Sequence, residues 1–379
     1  MIYWRLSGFY LFYFASLGAL LPYWSLYLES LGFSVTEIGQ LVAILMATKI
    51  VAPNIWGWIA DHTGHRMAII RTGSLLAAIT FAGVFIGDSF WWLALVMAVF
   101  SFFWNAALPQ FEATTMNHLG DDLHRYSGIR LWGSIGFIIA VSGLGALLGD
   151  SGTGLLPIVL MVLFVLIWLS SLTVPESAAG HLPLDQEPLR KVLSQPVVLS
   201  LLAVCFLAQA SHGPYYAFFS IYMQHYGYPT AVIGQLWALG VIAEIGIFLL
   251  TPVLLPRYGA RKLLIMAAAL TTLRWLLTAL FADRLAIIIF SQTLHAASFG
   301  LYHAVMISLI HSLFVGAHQG RGQALYSSIS FGAGGAVGIL VSGYLWTDMG
   351  PQAMYLVAAL TSLCALLVVI FALRNIPAS

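Results

Sequence analysis

The sequence predicts an all-α integral membrane protein in which twelve transmembrane helices form two six-helix halves. The first reason is composition: of 379 residues, 60% are apolar and 8% are charged, and the mean hydropathy is +0.93. A soluble domain has roughly 45–50% apolar and about 25% charged residues, so these charges are too few to cover a soluble globule, whereas a lipid-facing surface needs none. The net charge is +1 and the sequence has no basic patch. We therefore exclude nucleic acid as a partner and expect the protein to lie in the lipid bilayer.

The second reason is a succession of twelve apolar runs, each long enough to cross a bilayer as a helix of about 20 residues. The first run continues to Tyr27 without a small-residue cleavage site, so we interpret it as a span and not as a signal peptide. The predicted spans are 6–28, 36–60, 67–87, 91–117, 126–148, 154–174, 197–222, 230–255, 262–281, 285–314, 321–346 and 351–373.

The basic residues indicate the orientation, because Lys and Arg accumulate in cytoplasmic loops. With the N-terminus inside, Arg284 is the one basic residue of the outer loops, and Lys49 and Arg274 lie within spans. The remaining basic residues all fall on the cytoplasmic side: Arg5, Arg66, Arg71, Arg125, Arg130, Arg190, Lys191, Arg257, Arg261, Lys262, Arg321 and Arg374. A wrong number of spans would break this alternation. We therefore expect a multi-pass protein of the bacterial inner membrane with both termini cytoplasmic.

An internal repeat relates the two halves. When the second half is shifted back by 195 residues, the segment 27–41 lies over 222–236, and a Tyr, a Gly and the tetrad Ile-Gly-Gln-Leu coincide. Gly64 and Gly259 match at the same offset. Parallel six-helix repeats are typical of transporters, whose substrate sites lie near the membrane midplane. The expected organisation is an N-terminal bundle at 1–174, a cytoplasmic linker at 175–195 and a C-terminal bundle at 196–379.

The loop after the second span contains Gly57-Trp-Ile-Ala-Asp61-His-Thr-Gly64-His-Arg66, and a degenerate copy, Arg257-Tyr-Gly-Ala-Arg-Lys, follows the eighth span. This pattern resembles the signature loop of the major facilitator superfamily, G-x-x-x-D-x-x-G-x-[RK]. The resemblance implies the fold of that superfamily and a gating role for Gly57, Asp61, Gly64 and Arg66. In that family the aspartate caps a neighbouring helix and pairs with arginine, which agrees with helix-dipole and charge physics.

Ionisable groups inside a span are costly unless they are paired or hydrated, so each one is a candidate functional residue. Glu244 lies in an otherwise apolar helix and can take and release a proton during a cycle. An unpaired Arg274 would be costly, so we expect it to pair with Glu244, either for proton coupling or as a purely structural ion pair. Lys49 stays open, because it can bind an anionic substrate or pair with Glu112.

Histidines are the second group of candidates, because their side chains titrate near physiological pH. His295 and His303 are eight residues apart, which is about 12 Å of rise and about 80° of rotation in an α-helix. They can line one cavity at two depths and carry the coupling proton, or they can be packing residues, as we favour for His311. His212 with Tyr215 and Tyr216 is typical either of a polar, aromatic cavity lining or of packing.

Spans 4 and 5 contain Asn105-Ala-Ala-Leu-Pro-Gln-Phe-Glu112 and Tyr126-Ser-Gly-Ile-Arg130-Leu-Trp-Gly-Ser-Ile-Gly-Phe137. They resemble the region of the lactose permease in which an acidic and a basic residue hold the substrate and an aromatic ring stacks on it. The resemblance implies substrate-binding roles for Glu112, Arg130 and Phe137. Span 10 departs from that permease, since Ser298 stands where its proton-coupling glutamate is, which argues against a sugar permease of that type.

A fuller resemblance is to the phenylpropionate permease family of the same superfamily. The matching motifs are Leu21-Pro-Tyr-Trp24-Ser, Arg130-Leu-Trp-Gly-Ser, His212-x-x-Tyr215-Tyr216, Gly240-Val-Ile-Ala-Glu244, Arg274-Trp275 and Gln292-Thr-Leu-His295-x-x-x-Phe299-x-x-x-His303. The resemblance implies uptake of a small aromatic carboxylate, such as 3-phenylpropionate, together with protons. We place Glu244, Arg274, His295 and His303 in proton coupling. Trp24, His212, Tyr215 and Tyr216 then join the substrate-binding residues.

The leading functional prediction is a proton-coupled symporter that works by alternating access on a small-molecule substrate. The alternatives are a proton-coupled exporter of drugs or metabolites and a symporter of a sugar or nucleoside. Span 5 lacks the proline-containing glycine pattern that exporters of the superfamily often show, which disfavours export. Since no nucleophile elbow, metal triad or P-loop is visible, we predict that the protein is not an enzyme and has no catalytic residue. We expect a monomer with no metal and no cofactor besides protons as the coupling ion.

Overall fold

The computed structural model describes residues 2–120, 122, 125–176, 189–314 and 318–374. These residues are mainly helical, with no strand among them, and they include twelve helices long and apolar enough to cross a membrane. We number them α1 to α12: Ile2–Ser30, Val35–Thr63, Arg66–Phe85, Phe90–Leu119, Tyr126–Gly149, Thr153–Leu172, Pro196–His225, Thr230–Tyr258, Ala260–Leu280, Leu285–Leu313, Gly320–Met349 and Pro351–Phe371. The predicted fold class is confirmed, and every predicted span boundary lies within four residues of the observed one.

Large apolar side chains cover much of the outside of the helices. Ile86, just after α3, and Trp91 and Leu249 are mostly exposed, and several leucines of α12 are 37–57% exposed. In water such a surface would aggregate, but in a bilayer it faces lipid tails and needs no partner.

Several helix contacts recur in both halves. In the first, α1 packs against α5 and α6, and α3 packs against α4 and α6. In the second, α7 packs against α11 and α12, and α9 packs against α10 and α12. The chain divides into two compact units, one with α1 to α6 and Tyr228–Ala238 and the other with α7, the remainder of α8 and α9 to α12. Most of the linker predicted at 175–195 lies outside the described residues.

The sequence repeat has a counterpart in the helix boundaries. Both α2 and α8 are 29 residues long, and Thr230 and Tyr258 follow Val35 and Thr63 by 195 residues each. Each helix is followed by a glycine with positive φ, 70° at Gly64 and 75° at Gly259, a conformation that glycine adopts without steric cost. The amide of Gly64 donates to the carbonyl of Ala60, which closes the end of α2.

Two of the spanning helices contain a π-helical segment, Ala296–Leu301 in α10 and Ser328–Gly334 in α11. A π-helix has i→i+5 hydrogen bonds and therefore a wider turn than an α-helix, and it occurs often at functional sites. The wider turn changes which side chains of α10 share a face.

Candidate functional site

Arg274 of α9 is the centre of a polar cluster in the second unit, and its side chain is fully buried, with 0% exposure. Its Nη1 donates to Nδ1 of His295 at 2.9 Å and to Oγ of Ser298 at 2.8 Å, and Nη2 donates to Oε1 of Gln292 at 3.2 Å. The guanidinium carbon lies 4.3 Å from the ring centre of Tyr215. Hydrogen bonds to three side chains and an aromatic face together offset part of the cost of burying this cation.

These contacts define the protonation of His295. An arginine only donates hydrogen bonds, so Nδ1 of His295 accepts and its ring hydrogen lies on Nε2. Nε2 lies 3.4 Å from Oε2 of Glu244, within reach of that carboxylate. His295 is therefore neutral in this arrangement and connects Arg274 to Glu244.

Glu244 and Arg274 are connected through His295 and not by the direct pairing that the sequence predicts. Arg274 contacts His295, Ser298 and Gln292 and does not pair with Glu244, because His295 lies between the two charges. The side chain of Glu244 is 17% exposed and that of His295 is 7% exposed. Glu244 is thus the more accessible end of the line that runs from Glu244 through His295 to Arg274.

The π-helical segment of α10 aligns three aromatic rings. His295 stacks on Phe299 with ring centres 5.4 Å apart, and Phe299 stacks on His303 at 5.7 Å. The rotation of 80° between the histidines, which assumes α-helical geometry, does not apply because the π-helical turn rotates each residue by less. His303 contacts the hydroxyl of Tyr326 through Nδ1 at 2.8 Å. The two histidines therefore share one face but are separated by a phenyl ring.

The residues predicted on α7 lie beside this cluster. The hydroxyl of Tyr215 donates to Oε1 of Gln292 at 3.1 Å, and its ring lies 5.6 Å from that of His295. His212 stacks on Tyr216 at 5.9 Å and meets Trp275 edge-on at 5.0 Å. His212 and Tyr215 are fully buried, whereas Tyr216 is partly exposed. The second unit thus brings together Glu244, Arg274, His295, His212, Tyr215 and Tyr216, with His303 one step further along α10.

The first unit contains a second, looser charge pair. Nε of Arg130 lies 4.0 Å from Oε1 of Glu112, with side-chain exposures of 32% and 38%. The guanidinium of Arg130 lies 3.8 Å from the ring centre of Phe14 and 5.6 Å from that of Tyr10. The structure brings Glu112 and Arg130 together on an aromatic face that α1 provides.

Two predicted substrate-binding aromatics lie apart from that pair. Phe137 packs its backbone against α1, where a Cβ on Gly18 would lie 2.6 Å from the Phe137 carbonyl oxygen. Trp24 is buried and contacts Tyr27 and Phe81. The rings beside Arg130 are Phe14 and Tyr10, which the sequence analysis does not single out.

The signature loop has the predicted ion pair. Nη2 of Arg66 lies 3.1 Å from Oδ1 of Asp61, and Gly64 forms the turn between them. Gly57 lies on α2 near Gln110 of α4, whose Nε2 would be 3.6 Å from an added Cβ.

A residue that sequence reasoning missed lies beside this loop. Both carboxylate oxygens of Glu176, which follows α6, accept from the backbone N–H of Met67 at 3.1 Å. Arg71 of α3 donates to the carbonyl of Val174 at 2.7 Å. The chain after α6 therefore closes the N-terminus of α3, where a carboxylate is favoured by the helix dipole.

The spacing of polar residues in α10 could have revealed two other missed contacts. Gln292, His295 and Ser298 follow one another at intervals of three residues, which places them on one helix face. All three contact Arg274. Within the described part of the chain, no group of three or more His, Cys, Asp or Glu side chains could hold a metal ion.

Twelve spanning helices in two repeated halves, with a few connected charges inside them, define a membrane transporter of the secondary type. The chain belongs to the MFS_1 like family, whose model matches residues 3–357. The predicted superfamily is confirmed.

Named relatives are transporters as well. The chain is 29% identical over 376 residues to a protein named "Probable 3-phenylpropionic acid transporter" from Escherichia coli (strain K12), with 96% of each chain covered. It is 27% identical to a maltose permease from Geobacillus stearothermophilus, covering 96% of this chain and 92% of that one. The solved structure of a point mutant of the nucleoside transporter NupG has the same fold, with a TM-score of 0.87, 18% identity and coverage of 99% of this chain and 100% of that one. The prediction of a transporter and not an enzyme is confirmed by this family.

Proposed function

We propose that this transporter takes up a small aromatic carboxylate, such as 3-phenylpropionate, by proton symport across the bacterial inner membrane, with both termini in the cytoplasm. The protein works as a monomer in the lipid bilayer, with protons as the coupling ion and without another cofactor. Alternating access exposes the substrate to one side of the membrane at a time.

The observation that supports proton coupling is the line Glu244, His295 and Arg274. Glu244 is the more accessible end, so it takes the proton, while the neutral His295 holds Arg274 in place. Protonation of Glu244 removes its negative charge and weakens the contact with Nε2 of His295. A protonated and an unprotonated cluster therefore favour different arrangements of these helices, and this difference couples proton movement to the transport cycle.

The substrate class has two supports. A relative that matches nearly the whole chain is named for 3-phenylpropionic acid. The cluster also has a partly exposed aromatic ring beside a polar group, since Tyr216 stacks on His212. Flat rings of this kind stack on a phenyl group of a substrate.

The test is uptake of labelled 3-phenylpropionate into proteoliposomes with an imposed inward proton gradient. Wild-type protein should accumulate the acid. Glu244→Gln should still exchange internal for external acid and should lose gradient-driven accumulation. The matched control is Glu37→Gln, because Glu37 lies at the exposed start of α2 and hydrogen-bonds Ser34.

Competition with maltose and with uridine in the same assay separates the remaining substrate classes. If either solute is accumulated and no carboxylate is, the aromatic-acid assignment is wrong. If the acid is accumulated independently of the proton gradient, the symport assignment is wrong.

A further inference from the structure

Lys49 occupies the midpoint of α2, fourteen residues from Val35 and fourteen from Thr63. At 1.5 Å per residue it lies ~21 Å from either helix end, whereas the centre of the hydrocarbon layer is only ~15 Å from its edge. A lysine stem is too short to bring its ammonium to the membrane surface from that depth. The charge of Lys49 therefore stays inside the membrane, where it needs an anion or water.

The other charges inside the spans are already grouped. Arg130 lies beside Glu112, and Arg274 is linked through His295 to Glu244. Lys49 has no hydrogen bond or ion pair with another of the described residues. Away from the ends of the spans, the charged residues are Lys49, Glu112, Glu244 and Arg274, and Arg130 lies just inside α5. Among these five residues, Lys49 is therefore the charge without a counterpart.

The internal repeat adds an independent observation. The offset of 195 residues that superimposes α2 on α8 also places Lys49 over Glu244. Each residue is therefore the midpoint of its own 29-residue helix, and the two helices have opposite charges at corresponding positions. Substrate and coupling-ion sites of repeat transporters lie near the membrane midplane, the depth at which the midpoint of a spanning helix is expected.

We infer that Lys49 binds the carboxylate of the transported acid. This inference rests on the proposed function, since it names the residue that recognises the substrate. An ammonium donates three hydrogen bonds and suits a carboxylate as a compact charge. While Glu244 is unprotonated, a bound carboxylate balances the charge of Lys49, whereas a neutral analogue leaves Lys49 uncompensated.

The experiment compares the binding of 3-phenylpropionate with that of its neutral amide, 3-phenylpropionamide, to purified protein without a proton gradient. Wild-type protein should bind the acid about tenfold more tightly than the amide, or better, because one hydrogen bond to a charged group changes the dissociation constant by about that factor. Lys49→Gln should reduce this preference to near one by weakening acid binding while amide binding stays unchanged. Lys49→Arg, which keeps the charge, should retain a preference for the acid.

The control is Lys262→Gln, a lysine at the start of α9, which should behave as wild type. Thermal unfolding without ligand checks the fold, and Lys49→Gln should unfold at the same or a higher temperature because it removes an unbalanced charge. An unchanged preference in Lys49→Gln, or equal loss of acid and amide binding, overturns the inference. Wild-type protein that binds the acid but does not accumulate it under a gradient contradicts the symport proposal alone and leaves the role of Lys49 standing.

Discussion

Nη1 of Arg274 donates a hydrogen bond to Nδ1 of His295 across 2.9 Å, and this contact decides which ring nitrogen of the histidine is protonated. Because arginine cannot accept, the ring hydrogen must lie on Nε2, on the side of Glu244. A second proton on His295 would have to face the guanidinium of Arg274. The histidine is therefore a neutral connector, and the carboxyl of Glu244 is the group that exchanges the proton in the proposed cycle.

The two ring nitrogens of His295 can be tested separately. In His295→Asn, an amide oxygen can replace Nδ1 as the acceptor for Arg274, but the link to Glu244 is lost. We expect exchange of the acid to continue and gradient-driven accumulation to fall by about tenfold, because protonation of Glu244 then no longer acts on Arg274 through His295. In His295→Leu, Arg274 loses one buried acceptor, and stability should fall by about 1–3 kcal/mol. Uptake assays and thermal unfolding give the two readouts.

The control for this pair is His311→Asn, which changes a histidine near the end of the same helix and should leave transport unchanged. Full accumulation by His295→Asn would show that the link from Glu244 to Arg274 through His295 is not needed for coupling.

Arg274 depends on its shape as well as on its charge. Its guanidinium contacts three acceptors in different directions and lies 4.3 Å from the ring centre of Tyr215 and 4.6 Å from that of Trp275. A lysine keeps the charge but has neither the planar fork nor the stacking face. Arg274→Lys should therefore lower uptake by about tenfold or more, because the loss of one charge-assisted hydrogen bond has an effect of about that size. Arg284→Lys, at an exposed arginine beside Asp283, is the matched conservative change and should have no effect on uptake.

Most of the fold could be predicted from the sequence because hydropathy and repeat are local, linear signals. Twelve apolar runs give the spans, and the repeat that places Gly64 over Gly259 also gives two helices of equal length. These signals depend on a bilayer that forces each apolar run to become a helix.

The contacts of the site were less predictable, because they depend on the rotation of each helix against its neighbours. Phe14 and Tyr10 meet Arg130 across two helices, and no spacing within α1 indicates that contact. In α10, the π-helical segment moves His303 onto the same face as His295, which an α-helical wheel does not give. Direct pairing of Glu244 with Arg274 was predicted, but His295 lies between them, and this arrangement could be found only from the structure.

Glu176 offers a test of the loop that follows the second span. Its carboxylate closes the N-terminus of α3 by accepting from Met67, so Glu176→Ala should destabilise that end by about 1 kcal/mol. Hydrogen exchange of the backbone amides at residues 66–69 should become faster. Glu37→Ala is the matched control, since Glu37 belongs to the capping box with Ser34 at the start of α2 and should accelerate exchange only there. Unchanged exchange at residues 66–69 in Glu176→Ala would contradict the capping role.

The ring of Phe299 separates His295, and with it the buried polar cluster around Arg274, from His303. It stacks between His295 and His303 at 5.4 and 5.7 Å, with interplanar angles of 14° and 3°, and a phenyl ring can neither donate nor accept a proton. Phe299→Ala should leave space for water between the histidines and let protons cross without substrate. The measurement is the decay of an imposed pH gradient in proteoliposomes, followed with a pH-sensitive dye, which should be several times faster than for wild type. Phe331→Ala removes a ring that touches Phe299, His303 and Tyr326 without lying between the histidines, so it should preserve the gradient. Equal leak rates for both variants would show that the loss of aromatic packing, and not the separation of His295 from His303, controls proton movement through α10.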